Sequence, residues 1–147
     1  MQPKFVSIVG AGGKTTALRA LARALAPRRV LVTTTTHMFP IQPPDCRTVL
    51  TDPAPDALLA QHKLPGAVCA GRQAEGGKLC ALSPALLVQA TAATDVVLCE
   101  ADGAHRLPLK LHRADEPVLP PQTDVCLIVA GLSALGQPVR DAVHRYA

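Results

Sequence analysis

Aromatic residues are almost absent from this chain of 147 residues, which has no tryptophan and only Phe5, Phe39 and Tyr146. Proteins that bind single-stranded nucleic acid stack the bases on aromatic side chains, so this shortage argues against that function. The net charge of +4 is small, and the basic residues are scattered along the chain, so we expect no nucleic acid partner. Because apolar residues still make up 48% of the sequence, we expect a core of Ala, Val and Leu.

The sequence also lacks the patterns of metal centres, disulfide frameworks and membrane segments. Its five cysteines form no CxxC pair and no zinc-type spacing with histidine. Three histidines, His105, His112 and His144, lie in polar segments and are expected to be solvated. The apolar residues 5–9 are too few for a signal peptide or a membrane span, and no later run is long enough. We expect a cytoplasmic protein without membrane association, with one domain over residues 1–147.

Apolar strand-like runs alternate with helical patterns along the chain. The predicted strands are residues 5–9, 29–35, 48–50, 67–70, 95–100 and 124–130, and the predicted helices are residues 15–26, 56–61, 84–94 and 138–146. Ser83 and Pro84 are a typical helix start. The glycine-rich residues 71–78 predict a mobile loop, and residues 107–122 a long loop. This alternation predicts an α/β fold with three layers, in which helices cover both faces of a mostly parallel sheet.

The most informative motif is IVGAGGKTT, in which an apolar strand ends in glycines and a Lys-Thr pair opens a helix. In such a P-loop the backbone N–H groups face phosphate oxygens, Lys14 reaches the β and γ phosphates, and Thr15 offers a hydroxyl to magnesium. The usual GxxxxGKT pattern has glycine where this chain has Ile8, so the loop is a shortened variant, similar to the GxxGKTT loops of Mur ligases. The motif extends the fold prediction to a P-loop NTPase-like domain that binds ATP or GTP with Mg2+. The predicted nucleotide-binding residues are Gly10, Ala11, Gly12, Gly13, Lys14, Thr15 and Thr16.

A second motif, VVLCEADG, resembles a Walker B strand, with Glu100 at its end and Asp102 two residues later. A carboxylate at the end of a strand beside a P-loop can hold magnesium through water. We therefore predict that Thr15, Glu100 and Asp102 bind the metal. The candidate catalytic residues are Lys14, Glu100 and Asp102. No general base is evident.

A run of threonines, TTTTH, closes the second predicted strand. At the carboxyl end of a parallel sheet, such side chains face the crevice where ligands bind. Thr33 and Thr34 are expected to pack within the sheet. The candidate residues for contact with a substrate or partner are Thr35, Thr36, His37 and Lys110.

Five blocks, GAGGKTT, LVTTTTHMFP, CEADGAHRLPLK, EPVLP and VHR, occur in an order that resembles the YqeC family, whose members are described as accessory proteins of selenium-dependent molybdenum hydroxylases. The resemblance covers nearly the whole chain. It implies that Lys14 and Thr15 bind nucleotide phosphates and that Glu100 and Asp102 serve the metal. The family-motif positions without an assigned role are Lys110, Glu116 and Pro117. Family members usually continue well past the VHR block, so we expect a shortened C-terminus.

The predicted function is slow hydrolysis of a nucleoside triphosphate during maturation of a selenium-dependent molybdenum hydroxylase, with the hydroxylase or its cofactor as partner. One alternative is an ATP-dependent ligase or kinase acting on a small acceptor. Another is a nucleotide-switched binding partner without significant turnover, which docks through residues 107–122. The chain contains no asparagine and hence no NKxD guanine reader. We therefore expect ATP and GTP affinities within about tenfold of each other, or ~1.4 kcal/mol.

Overall fold

The structure is a computed structural model that describes residues 4–103 and 107–146, so His105 lies outside the described residues. The strands in these ranges are β1 (Phe5–Gly10), β2 (Arg29–Thr34), β3 (His37–Met38), β4 (Thr48–Thr51), β5 (Gly66–Ala74), β6 (Lys78–Cys80), β7 (Val96–Glu100), β8 (Leu109–Lys110), β9 (Val125–Val129) and β10 (Val143–His144). The α-helices are α1 (Lys14–Ala24), α2 (Pro55–Gln61), α3 (Pro84–Ala93) and α4 (Val139–Ala142). The predicted α/β class is confirmed.

Eight of these strands form one mostly parallel sheet in the order β3, β6, β5, β2, β7, β1, β9, with β4 also paired to β5. β1 pairs in parallel with β7 and β9, and β2 pairs in parallel with β5 and β7. In contrast, β6 runs antiparallel to β3 and β5. After β1 the chain continues to β2 on one side, and β9 later joins β1 on the other. Open α/β sheets bind ligands outside the carboxyl ends of their strands at such a reversal of strand order.

Helices pack on both faces of this sheet. α1 buries Leu18 in a core with Val30 of β2, whereas α2 buries Leu58 in a second core that contains the next residue of β2, Leu31. Adjacent residues of a strand point to opposite faces, so α1 and α2 lie on opposite sides of the sheet. Leu86 of α3 belongs to the second core. The arrangement is consistent with the three layers expected from the sequence.

The start of α3 confirms the predicted helix signal. The amide of Leu86 donates to the hydroxyl of Ser83 at 3.3 Å, and Pro84 occupies the first helical position. Proline fits there because its missing N–H would have no helical partner.

The expectation of a mobile loop over residues 71–78 is wrong. β5 continues to Ala74, a 3-10 turn covers Glu75–Gly77, and β6 returns from Lys78 with Arg72 opposite Cys80. Pairing between the two strands overrides the low strand propensity of the glycines.

The C-terminal helix predicted over residues 138–146 is also wrong beyond its first turn. α4 has only four residues, and the chain then extends into β10, which pairs with β8 inside the predicted loop 107–122. Val143 lies opposite Leu109 in that short ladder.

Strand β9 departs from the expectation of a sheet covered on both faces. It is the outer strand, and Ile128 is 75% exposed. The leucines at 132 and 135 after it are also exposed.

Among the helices that the structure describes, none combines the length and the apolar character that crossing a membrane requires.

Candidate functional site

The glycine loop joins β1 to α1 at the carboxyl edge of the sheet. Gly10, Gly12 and Gly13 have positive φ angles of 95°, 66° and 125°. A Cβ atom at Gly10 would lie 2.1 Å from the carbonyl oxygen of Val129, so the backbone conformation and the available space both require glycine. The amide of Ala11 donates to the same carbonyl at 2.8 Å. The end of β9 therefore holds this loop in place.

Helix α1 begins directly after this loop with uncapped backbone N–H groups. Gly13 at the cap position makes no side-chain hydrogen bond, and the first turn contains no acidic residue. The first N–H groups of a helix have no partner within it, and the helix dipole adds partial positive charge at the same place. The exposed side chains of Thr15 and Thr16 lie beside this end. The start of α1 is therefore suited to an anion with several oxygen atoms.

Lys14 is only 6% exposed and lies between the loop and the end of β7. Its Nζ donates to the carbonyl oxygen of Gly10 at 2.6 Å and lies 3.0 Å from Oδ1 of Asp102. The contact with Asp102 is an ion pair without hydrogen-bond geometry. An ammonium group has three N–H donors, so these contacts leave at least one for a ligand.

Asp102 is fully buried and connects several elements of the site. Its Oδ2 accepts the N–H of Gly10 at 2.7 Å, lies 2.8 Å from Nε2 of His112, and lies 3.5 Å from Nζ of Lys110. Burial by itself would raise the pKa of Asp102, but the Gly10 amide, Lys14 and His112 together hold that pKa below its ordinary value. Asp102 is thus an ionised carboxylate whose oxygens already face groups of the chain itself.

Glu100, the last residue of β7, has the opposite environment. It is 7% exposed, and its Oε2 has no hydrogen-bond partner within the described part of the chain. Burial raises the pKa of Glu100 to about 7, with Asp102 adding to this effect and Lys14 opposing it. An unpartnered buried carboxyl oxygen is costly, so Glu100 is the acidic group here with capacity for a further ligand.

Lys110 and Glu116 form a largely buried ionic network with Arg145. The Nζ of Lys110 donates to the carbonyl oxygen of Gly103 at 2.6 Å and to Glu116 at 2.8 Å, and Arg145 binds the same carboxylate. The contact with Arg145, followed by that with Lys110, lowers the pKa of Glu116 to about 2. Pro117 follows Glu116 through a cis peptide bond. These family-motif residues therefore join β8 and the C-terminal segment to the loop after β7.

The residues of the TTTTH segment have two different environments: some bind other segments of the chain, and others line the site. Thr34 donates through Oγ1 to the carbonyl oxygen of Glu100 at 2.8 Å, and Thr35 donates to that of Val118 at 2.8 Å. The next two residues, at 36 and 37, line the cavity described below. Thr36 and His37 are thus placed for contact with a ligand, whereas Thr35 fixes a neighbouring segment.

A cavity of about 870 Å3 brings these features together. One wall is formed by residues 12–16, and the opposite wall by residues 36–39 and Lys78. Glu100 lies between them because β7 separates β1 from β2 in the sheet. The remaining lining residues are Gly103, Arg113 and Glu116. Lys110 is 1% exposed at its side chain and lies behind Glu116, outside this lining.

Several residues of the site were not predicted from the sequence. They are Met38, Phe39, Lys78 and Arg113 in the cavity wall and His112 beside Asp102. Lys78 reaches the cavity because β6 folds back beside β3, in the segment expected to be a loop. His112 is exposed, as expected, but its Nε2 also lies 2.8 Å from Oδ2 of the buried Asp102. His144 is half-buried in β10 rather than solvated.

Comparison with known proteins identifies the family. The sequence model described as YqeC protein matches residues 6–147. A relative from Escherichia coli strain K12, named Uncharacterized protein YqeC, is 40% identical over 157 aligned residues, which cover 99% of this chain and 59% of the relative. No solved structure matches the chain. The chain therefore belongs to the YqeC family and spans somewhat more than half the length of this relative.

Proposed function

We propose that the protein is a P-loop NTPase-like domain that binds ATP or GTP with Mg2+ and hydrolyses it slowly. The observation that carries this proposal is the position of Lys14, at the uncapped start of α1, in one cavity with the glycine loop and the unpartnered Glu100. The start of α1 is suited to an anion, Lys14 supplies a positive charge and Glu100 supplies a buried carboxyl group, and these are groups that hydrolysis of a nucleoside triphosphate uses.

Phosphate binding would rest on the backbone of the loop and on Lys14. The N–H groups at the start of α1 would donate to phosphate oxygens, and the remaining donor of Lys14 would bind the terminal phosphates. The carbonyl of Gly10 and the carboxylate of Asp102 hold the ammonium in position before any ligand enters. The Lys14 side chain therefore already lies in the cavity wall and does not have to be ordered when a phosphate binds.

Magnesium fits the cavity through Thr15 and Glu100, which both line it. In the described residues no three His, Cys, Asp or Glu side chains cluster as a metal site of their own, so phosphate oxygens and water would complete the coordination. The bound ion would neutralise negative charge on the phosphates. We assign Asp102 a different role from the metal-binding one expected from the sequence: its oxygens face Lys14, Gly10 and His112, so it positions the loop and the lysine.

Assistance in the maturation of a selenium-dependent molybdenum hydroxylase is the biological role that we propose for this activity. Its support is membership of the YqeC family, whose members are described as accessory proteins of such enzymes. Copurification of a hydroxylase subunit only when nucleotide is present would agree with this role. Copurification that does not depend on nucleotide would argue against it.

Isothermal titration calorimetry with ATP and GTP, each with and without Mg2+, tests the binding proposal. Lys14→Ala should weaken triphosphate binding by about tenfold or more, because a charge-assisted contact is lost. Lys63→Ala removes an exposed lysine of the same charge and should bind like the parent. Equal affinities of parent and Lys14→Ala would contradict the proposal. A hundredfold preference for either nucleotide would contradict the expected lack of base selectivity.

A ligase or kinase acting on a small acceptor is the second candidate function. The specific observation in its favour is the size of the cavity, whose volume of about 870 Å3 lies near the upper end of ordinary ligand sites. Such a cavity has room for a second small molecule beside a triphosphate chain. Release of phosphate that increases when an acceptor is added would distinguish this candidate from simple hydrolysis.

A further inference from the structure

The cavity wall opposite the glycine loop carries a lysine ammonium and an aromatic ring to which the proposed binding of the triphosphate assigns no role. This distal wall consists of residues 36–39, which follow β2 and include β3, and of Lys78 at the start of β6. β3 and β6 pair as antiparallel strands, with Met38 opposite Leu79. Strand pairing, rather than a loop, therefore fixes both parts of the distal wall.

Lys78 and Phe39 bring a positive charge and an aromatic ring together on the distal wall. The ammonium of Lys78 lies 5.4 Å from the centroid of the Phe39 ring, and Phe39 is 50% exposed. Within residues 4–103 and 107–146, the Lys78 ammonium forms this contact with the ring and no ion pair with a carboxylate. Because the ammonium lies over a ring that is half exposed, part of the ring surface and the positive charge remain for a ligand.

The distal wall lies beyond the reactive end of the proposed triphosphate. The strand order at the edge of the sheet is β2, β7, β1, β9, so Glu100 separates the distal wall from the glycine loop. The loop after β9 lies on the other side of β1. A molecule on the distal wall would therefore face Glu100 and, across it, the phosphates held by the glycine loop.

We propose that the distal wall is a second-substrate subsite for a small aromatic phosphate or carboxylate that binds together with the triphosphate. This inference rests on the proposed function. Lys78 would bind the anionic group and Phe39 would stack against the ring, while Thr36 and His37 supply polar groups on the same wall. Such a subsite favours the ligase or kinase function over simple hydrolysis.

The test is calorimetric titration of phenyl phosphate into the full chain saturated with Mg2+ and a non-hydrolysable ATP analogue. Phenyl phosphate should bind without displacing the analogue. Lys78→Met, which keeps the apolar stem beside Phe39, should weaken phenyl phosphate by about tenfold or more and leave the affinity for the analogue unchanged. Lys63→Met is the charge-matched control. Phe39→Leu should remove the preference for phenyl phosphate over cyclohexyl phosphate.

Three results would overturn the subsite. The first is a loss of analogue affinity in Lys78→Met, and the second is displacement of the analogue by phenyl phosphate, since in either case the two ligands do not occupy separate parts of the cavity. The third is the absence of phenyl phosphate binding at millimolar concentration. Failure of the proposed function looks different: the analogue would not bind to the parent, whereas phenyl phosphate would still bind in a manner that depends on Lys78.

Discussion

Replacement of Asp102 by alanine tests whether this carboxylate holds the lysine and the loop in position. Asp102 is fully buried and faces Lys14 at 3.0 Å, while its other oxygen accepts the Gly10 amide at 2.7 Å. Its removal leaves the buried ammonium without its counter-ion, and breaking one side of a buried pair costs about 3–5 kcal/mol. We therefore expect the free energy of unfolding to fall by roughly that amount.

A double-mutant cycle of Asp102→Ala with Lys14→Met measures the coupling free energy between these two side chains. The free energy of unfolding of Lys14→Met should fall by less, about 1–3 kcal/mol, because Asp102 retains its hydrogen bond from the Gly10 amide and its contact with His112. In the double variant no buried charge is left without its partner, so its loss should be smaller than the sum of the single losses by ~1–3 kcal/mol.

Urea unfolding followed by circular dichroism provides the measurement. Asp141→Ala is the control, because Asp141 pairs with Arg140 at the surface and exposed pairs contribute little to stability. Parental stability of Asp102→Ala, or strictly additive losses in the cycle, would refute the positioning role of Asp102.

Buried groups and close contacts at His62, Gly10 and Glu100 each have a measurable consequence. Burial lowers the pKa of His62 from 6.5 to about 4, so the unfolded chain binds the proton first, and the contribution of His62 to stability should fall between pH 6.5 and 4 by up to about 1.4 kcal/mol per pH unit. The difference in unfolding free energy between the parent and His62→Phe, from urea titrations at each pH, should show this slope, because the raised pKa of Glu100 affects both proteins alike. Gly10→Ala should lower the free energy of unfolding by ~2–5 kcal/mol, because the new Cβ atom would collide with the carbonyl oxygen of Val129. Gly103→Ala is the control and should have parental stability in the same urea titration, because a Cβ atom there has open space. Glu100→Gln should reduce Mg2+-dependent phosphate release by about tenfold or more while nucleotide affinity stays near parental, and unchanged release would exclude the carboxylate from the reaction.

The parts of the site that the sequence predicted are those encoded by neighbouring residues. The glycines, Lys14 and Thr15 belong to one motif, and an apolar strand that ends in Glu100 identifies its own carboxyl end. A strand, a turn and a helix with these local patterns place the loop without knowledge of the remaining fold.

The residues that were missed reach the site through contacts distant in sequence. Lys78 depends on a hairpin whose glycine-rich turn favours a loop in any local interpretation. His112 contacts Asp102 from a segment without regular structure, so no periodicity marks it. The short ladder of β8 and β10 replaces the second part of a predicted helix for the same reason: pairing between distant segments outweighs local propensity.

Backbone amide spectra recorded by NMR during titration with Mg2+ and a non-hydrolysable ATP analogue show directly whether the glycine loop binds the phosphates. If the glycine loop binds the phosphates, the largest shifts and the strongest protection from hydrogen exchange should fall on the amides of residues 12–16. Both effects should be lost at the same analogue concentration in Lys14→Ala. Saturable binding that leaves these amides unchanged, or equal shifts in parent and Lys14→Ala, would contradict phosphate binding by the glycine loop and Lys14.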